Sequence, residues 1–182
     1  PMFMMKYNKV IETHLQGFID VLGADNVLHG NEKTAGYEHD ETEDLKFYPE
    51  VVLKPETPQQ IADIMKICNR EQIPVTPRGA GTGLSGGALA IHGGVILSTE
   101  KLNQILEIDE RNLQATVEPG VITEVLQNAV KDKGLFYPPD PSSKGTCYIG
   151  GNVAENAGGP KAVKYGVVKD YILNLEDRKS VV

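Results

Sequence analysis

The chain contains no tryptophan, only two cysteines and no long run of apolar residues. A membrane-spanning helix needs about 18 or more consecutive apolar residues, and the short apolar start from Pro1 to Met5 is also too short for a secretory signal. We therefore expect a cytoplasmic protein. Cys68 and Cys147 stand far apart in the sequence, and nothing in the chain suggests an oxidising compartment, so we expect buried free thiols rather than a disulfide.

Basic residues are also scarce. The chain has 18 Lys and Arg against 25 Asp and Glu, a formal net charge of −7. Nucleic-acid binding depends on clustered basic side chains that displace counterions, so this balance argues against a nucleic-acid partner. The histidines lack the spacing of metal ligands, and we predict no metal site.

Glycine is the residue that the chain has in abundance. The segment Pro77 to Gly87 holds five glycines in eleven residues and follows the strand-like Ile73 to Thr76. Glycine lets the backbone adopt positive φ and brings main-chain N–H groups close to a ligand, an arrangement suited to phosphate oxygens. This segment therefore predicts a diphosphate-binding loop.

Two other nucleotide motifs fit this loop poorly. Gly81-x-Gly83-x-x-Gly86 satisfies the GxGxxG spacing, but a Rossmann site needs a helix next, and only five residues separate Gly87 from Gly93. A Walker loop would end in Gly-Lys-Ser or Gly-Lys-Thr, which is absent. A plain flexible loop remains the alternative for an isolated glycine-rich segment.

A second glycine cluster, Ile149 to Gly159, strengthens the binding interpretation. It combines close-approach glycines with amide side chains and follows the proline-rich segment Tyr137 to Ser143. Two separated clusters suit a long ligand, and a stiff proline segment suits a wall that positions a planar ring.

The periodicity of the rest of the chain predicts alternating helices and strands around these clusters. Thr57 and Gln60 can form a capping box at the start of one helix, with Pro58 in its first turn. We expect a helix at 10–22, a lead-in loop at 29–46, strands at 51–53, 95–98, 105–109 and 114–118, and helices after residue 57 and at 122–133.

These segments resemble the FAD-binding domain of the vanillyl-alcohol oxidase/PCMH superfamily, particularly its glycolate oxidase, D-lactate dehydrogenase and D-2-hydroxyglutarate dehydrogenase branch. The similarity is carried, in the family's order, by Pro77–Gly87, Glu118–Gly120, Pro138–Ser143, Ile149–Gly159 and Lys164–Gly166. The resemblance implies an α+β, PCMH-type fold of two small α/β lobes, the second incomplete, with the flavin between them. Residues 1–45 would form an N-terminal helix and lead-in, and residues 46–182 the FAD-binding domain.

The resemblance also implies cofactor contacts. The first loop would wrap the diphosphate and ribityl region mainly through main-chain donors, with charge from Arg78 or Lys161 at most. Pro139 and Asp140 would lie beside the flavin or its ribityl chain, and further residues would form an opposing clamp and the end of its wall. The implied contacts are Arg78, Gly79, Ala80, Gly81, Thr82, Gly83, Leu84, Ser85, Gly86, Pro139, Asp140, Gly150, Gly151, Asn152, Asn156, Tyr165 and Gly166.

Two positions depart from patterns known in the superfamily. Thr82 stands where some distant members have a flavin-attached histidine, so we expect non-covalent FAD. Tyr148 stands where many relatives have Ser or Thr before Ile-Gly-Gly, which removes a hydroxyl contact expected there.

The implied activity is oxidation of a 2-hydroxy acid of the glycolate or D-lactate type to the 2-oxo acid, with an unidentified electron acceptor and possible partner subunits. Relatives continue into a substrate domain, so we expect an N-terminal fragment whose catalytic residues lie beyond Val182. The alternatives are a non-catalytic flavin- or nucleotide-binding module and an assembly subunit.

Overall fold

The structure, a computed structural model, describes residues 7–177. Within this range the chain forms two compact units. The first contains residues 7–78, 84–98 and 177, and the second contains residues 79–83 and 99–176. The glycine loop that follows Arg78 thus belongs to the second unit, although the chain then returns to the first.

The first unit is built on a four-stranded mixed sheet. Its strands are β1 (Val27–His29), β2 (Val51–Leu53), β3 (Val75–Arg78) and β4 (Val95–Ser98), in the order β1-β2-β4-β3. β1 is antiparallel to β2, whereas β2 and β3 both pair in parallel with β4. All residues of β2 and β4 are buried, as expected for parallel strands covered on both faces.

Two helices supply the main core of this unit. These are α1 (Glu12–Leu22) and α3 (Pro58–Arg70); a short α2 (Asn31–Thr34) follows β1. Alternate strand residues face opposite sides, so one face joins the helices while Val52 and Ile96 pack with Ala90. The helix-side core contains Phe18, Leu22, Val27, Val51, Leu53, Ile64, Cys68, Ile73, Val95 and Leu97.

The start of α3 confirms the predicted capping box. The Thr57 hydroxyl accepts a hydrogen bond from the N–H of Gln60 at 3.2 Å, and the Gln60 side chain accepts from the N–H of Thr57 at 3.2 Å. Pro58 occupies the first turn, where its missing N–H costs nothing.

The second unit pairs a hairpin with short helices. Strands β5 (Ile105–Asp109) and β6 (Gln114–Val117) are antiparallel, and α4 (Thr123–Lys131), α5 (Ile149–Ala154) and α6 (Ala162–Tyr165) follow. Its core is formed by Val121, Leu126, Val130 and Ile149, with side chains of the hairpin packed against them.

Several sequence-based boundaries differ from the structure: the helices predicted at 10–22 and 122–133 are Glu12–Leu22 and Thr123–Lys131, and two further segments differ more. The strand predicted at Ile73 to Thr76 begins at Val75 and includes Arg78, because its pairing partner β4 extends to Ser98. The predicted lead-in loop at 29–46 contains the end of β1, helix α2 and a 3-10 turn at Ala35–Tyr37. The polarity of this segment predicts an irregular loop. The segment is ordered instead because β1 pairs with β2 and because Thr34 is buried, with its hydroxyl donating to the Gly30 carbonyl.

Both cysteines are buried free thiols, as predicted, and burial raises the pKa of Cys68 to about 12. Across residues 7–177, no helix has the length and apolarity that crossing a membrane requires. In the same part of the chain, no cluster of three or more His, Cys, Asp or Glu side chains is arranged to hold a metal ion.

The turn before β4 yields a test of this fold. Gly94 has a φ of +67°, and a Cβ there would overlap the Pro74 carbonyl, which accepts the N–H of Val95 at 2.9 Å. We expect Gly94→Ala to lower the free energy of unfolding by about 2–4 kcal/mol, from left-handed strain plus overpacking. Urea denaturation of the purified protein measures this loss.

Gly134→Ala is the matched control. Gly134 also has positive φ, +72°, but no atom lies within 4 Å of its missing Cβ. It should cost only the backbone strain, about 1 kcal/mol. Equal losses in the two variants would contradict the packing role of Gly94.

Candidate functional site

The glycine loop after β3 presents main-chain N–H groups that the fold itself does not use. In the described range, none of the N–H groups of residues 80–83 donates to a main-chain carbonyl. These residues are half-buried, and Gly81 has a φ of +74°. Half-buried donors of this kind can donate to water, and phosphate oxygens are also suitable acceptors.

The second glycine cluster lies against the start of this loop. A Cβ on Gly79 would stand 3.7 Å from Cδ2 of Tyr148 and 3.9 Å from Cα of Gly151. The structure therefore brings the two sequence clusters together within the second unit. The Tyr148 ring occupies the position where the resemblance implies a small hydroxyl residue.

The second cluster begins as a helix, which sequence reasoning missed. Residues Ile149–Ala154 form α5, whose first N–H groups donate to the carbonyls of Val121 and Pro119, both at 2.8 Å. Two adjacent glycines predict a loop rather than a helix, because glycine is a poor helix former. The Val-Ala-Glu that follows was the available signal of a helical turn.

The glycines of this cluster differ in what surrounds them. A Cβ on Gly150 would stand 2.7 Å from Cβ of Pro119, so this position has no room for a side chain. No atom lies within 4 Å of the missing Cβ of Gly151, and the same holds for Gly83 in the first loop. Gly150 is thus needed for packing, whereas Gly83 and Gly151 leave open space that a ligand can enter.

The two predicted asparagines have internal partners. Asn152 is buried, and its Nδ2 donates at 2.5 Å to the hydroxyl of Thr123, which lies 3.2 Å from Sγ of Cys147. Asn156 adopts a left-handed φ of 51°, and its side-chain oxygen accepts from the N–H of Lys169 at 3.0 Å. The side chains of both asparagines therefore form hydrogen bonds within the protein. Their contacts with a cofactor stay a prediction.

Pro139 and Asp140 lie in a tightly packed segment. Pro139 is fully buried, and its carbonyl accepts from Nε2 of Gln127 at 2.7 Å. The N–H of Asp140 donates to the Gly158 carbonyl at 3.3 Å, and a Cβ on Gly159 would overlap the Asp140 carbonyl. The segment is therefore fixed against the end of the second glycine cluster.

The carboxylate of Asp140 lies between two ammonium groups. Nζ of Lys144 is 2.9 Å from Oδ1, and Nζ of Lys161 is 3.2 Å from Oδ2. The hydrogen bond from Lys144 is the main cause that holds the pKa of Asp140 below its ordinary value, and Lys161 adds to it. The same contact raises the pKa of Lys144.

Tyr165 and Gly166 end α6. Gly166 has a φ of +82°, and a Cβ there would overlap the carboxylate of Asp170, so this turn requires glycine. The Tyr165 ring packs edge-on against Phe136 with centroids 5.4 Å apart, and its carbonyl accepts from the hydroxyl of Tyr171.

The remaining predicted contacts belong to the first unit. Leu84 and Ser85 are exposed, and Gly86 has a φ of +73°. Arg78 is only 6% exposed, and its Nη2 donates at 2.8 Å to the His39 carbonyl. Its side chain is thus held by the lead-in segment, a long-range contact that the local sequence does not reveal.

Comparison with known proteins identifies the protein family of this chain. A family model described as an FAD binding domain matches residues 49–176, which is more than half of the chain. The chain belongs to this FAD-binding family. Its α+β, PCMH-type fold is confirmed, as is FAD as the cofactor of the domain.

Curated relatives and solved structures agree with this placement. The chain is 47% identical over 158 residues to glycolate oxidase subunit GlcD of Bacillus subtilis (strain 168), covering 87% of this chain and 34% of that protein. It is 42% identical over 168 residues to D-lactate dehydrogenase of Anaerostipes hadrus, covering 92% and 35%. Alkyldihydroxyacetonephosphate synthase shares the fold, with a TM-score of 0.80 at 16% identity over 91% of this chain and 32% of that one. The chain spans about a third of the length of the curated relatives.

The residues of the second unit fit an FAD diphosphate. The loop supplies main-chain donors at residues 80–83, and the missing Cβ atoms of Gly83 and Gly151 leave space for close approach. Neither feature requires a positively charged side chain.

The two glycines of α5 make the site testable. We expect Gly151→Ala to weaken FAD binding about tenfold or more, because the methyl group enters open space beside the loop and displaces ligand without disturbing the fold. Gly150→Ala should instead destabilise the protein by about 1–3 kcal/mol through overlap with Pro119. FAD titration followed by flavin fluorescence, together with thermal unfolding, separates these effects. Unchanged FAD affinity in Gly151→Ala would place the ligand elsewhere.

The Asp140 ion pairs predict a pH dependence of stability. Because the folded pKa of Asp140 is lowered, its contribution is present above the unfolded value of about 3.9 and is lost as pH falls through the folded pKa. Asp140→Asn should therefore lower Tm at pH 7, and its Tm should converge with that of the parent protein under strongly acidic conditions. Asp132→Asn, an exposed site, is the control. A Tm difference independent of pH would contradict the ion-pair origin.

Proposed function

We propose that this chain is the FAD-binding part of a flavin-dependent oxidoreductase that oxidises a 2-hydroxy acid, of the glycolate or D-lactate type, to the 2-oxo acid. The names of the similar proteins, glycolate oxidase subunit and D-lactate dehydrogenase, support the reaction class. The observation that supports the role of this chain best is the row of main-chain N–H groups at residues 80–83 without main-chain acceptors in the described part of the chain.

The chain contributes binding and positioning of the cofactor. The loop at residues 79–83 holds the diphosphate through its N–H groups, and Gly83 and Gly151 admit the ligand close to the backbone. Pro139, fixed by Gln127, forms part of the stiff wall that limits movement of the ring system. FAD, when bound, supplies the two-electron chemistry.

Attachment of the cofactor is non-covalent in this proposal. Thr82 occupies the position where distant members have a flavin-attached histidine, and a threonine hydroxyl does not replace that nucleophile. The flavin should therefore be released intact when the protein is denatured.

The groups that bind the hydroxy acid and accept its hydroxyl proton are proposed to lie outside this chain, since it spans about a third of the relatives' length. The electron acceptor and any partner subunits would likewise be recognised by other parts of the protein. One relative is named a glycolate oxidase subunit, which supports a multi-subunit assembly.

The proposal predicts a yellow protein whose flavin is reduced by a hydroxy acid. The intact protein should lose its visible flavin band when glycolate or D-lactate is added without oxygen, because two electrons pass from the substrate carbon to the flavin. The absorbance of the purified protein under anaerobic titration measures this reduction. L-Lactate and acetate serve as controls for stereochemistry and for the hydroxyl group.

Two outcomes would contradict the proposal in different ways. A protein that binds FAD while no 2-hydroxy acid reduces it would be a non-catalytic flavin-binding module. A protein that cannot be reconstituted with FAD would overturn the cofactor role and favour an assembly subunit.

A further inference from the structure

The side chain of Arg78, the last residue of β3, lies within the first unit. Its Nη2 donates at 2.8 Å to the carbonyl of His39 and lies 3.5 Å from that of Gly36. Its guanidinium carbon stands 5.6 Å from the centroid of the Tyr37 ring. The two carbonyls belong to the lead-in segment, about forty residues earlier in the chain.

This environment compensates part of a buried charge, because both of these carbonyl contacts are made by Nη2. Arg78 is 6% exposed, and a buried guanidinium is costly unless acceptors and electron-rich surfaces replace water around it. Main-chain carbonyls and the face of an aromatic ring are such replacements. Nζ of Lys54 also lies 5.5 Å from the centroid of the Tyr37 ring, so two cationic side chains lie near this ring.

The lead-in segment that holds Arg78 is itself ordered. The N–H of Phe47 donates to the Glu38 carbonyl at 2.8 Å, and Lys46 forms an ion pair with the Glu38 carboxylate at 2.9 Å. Oδ1 of Asp40, a residue only 6% exposed, accepts from the N–H of Thr42 at 2.9 Å. The segment between Tyr37 and Phe47 is therefore a closed loop that can hold the guanidinium in one place.

We propose that Arg78 is a positioning residue: Tyr37 and the carbonyls of Gly36 and His39 hold its guanidinium, which fixes the end of β3 from which the diphosphate loop departs. Arg78 does not bind the diphosphate with its own charge. This inference rests on the proposed role of the loop and deepens it, because it assigns the Tyr37 segment to the preparation of the FAD site.

A double-mutant cycle on the intact protein tests the proposal. Arg78→Gln and Tyr37→Leu remove the two sides of one contact, and FAD affinity is measured by flavin fluorescence well below Tm. Each single change should weaken FAD binding about tenfold, and the double variant should be no weaker than the weaker single variant, because both release the same anchor.

Salt and a conservative variant separate positioning from direct charge contact. A diphosphate held by the Arg78 charge would lose part of its salt dependence in Arg78→Gln, whereas a positioning role leaves that dependence unchanged. Arg78→Lys keeps the charge but replaces the planar guanidinium, whose Nη2 contacts both carbonyls and whose carbon lies 5.6 Å from the Tyr37 centroid, so it should weaken binding as Arg78→Gln does. Arg111→Gln, at an exposed turn, controls for the loss of one positive charge and should bind FAD normally.

Several results would overturn the inference. These are additive losses in the double variant, a flattened salt dependence in Arg78→Gln, normal FAD affinity in Arg78→Lys, or a lowered Tm with unchanged FAD affinity. Absence of FAD binding by the parent protein would overturn the proposed function and this inference together. Binding by the parent protein with any of the other results overturns the inference alone.

Discussion

The proposed site depends on one constraint: in the described part of the chain, the main-chain N–H groups of residues 80–83 donate to no main-chain carbonyl. A buried N–H group without an acceptor costs about 1–3 kcal/mol, so folded proteins rarely leave several of them together. In residues 80–83 the main chain of the described structure supplies no acceptor. Because residues 80–83 are only half-buried, water can accept from these donors in the free protein, and the phosphate oxygens of the proposed ligand would replace that water. The loop can therefore take up an anionic ligand without breaking a hydrogen bond of the main chain.

Glycine has two separate uses in this chain, and the structure distinguishes them. At Gly94, Gly150 and Gly159 a Cβ would collide with nearby backbone or proline atoms, so glycine permits close packing within each unit. At Gly83 and Gly151 the space beside the backbone is open. The first group permits close packing of the framework, whereas the second is proposed to let a ligand approach the main chain. Both roles use glycine, so the number of glycines in the sequence does not tell which role a given glycine has.

Local signals predicted much of the fold. The Thr57-Pro58 cap, the apolar spacing of α3 and the buried run of β4 are determined by neighbouring residues, and the structure confirms them. The ordered motifs also predicted the family.

Other features depend on partners distant in the sequence. The first N–H groups of α5 donate to the carbonyls of Val121 and Pro119, and the Arg78 side chain donates to a carbonyl of the lead-in segment. Contacts between residues distant in the sequence produce no periodic pattern of apolar residues, so local sequence analysis does not detect them. The cofactor contacts of individual side chains depend on such long-range placement, and they stay predictions.

Charge is used sparingly around the proposed anion site. The chain has a net charge of −7, and the basic side chains predicted to help are engaged elsewhere. The Arg78 guanidinium meets carbonyls and the Tyr37 ring, while Lys161 and Lys144 meet the Asp140 carboxylate. In the proposed site, binding of a diphosphate would rely mainly on oriented N–H dipoles, whose strength depends on geometry rather than on the number of charges. Dipoles act only at short range, so a small displacement of the loop removes most of their effect. A loop that works in this way requires firm attachment, which the buried Arg78 supplies directly before it; after the loop, Leu84 and Ser85 are exposed and buried residues resume at Leu89.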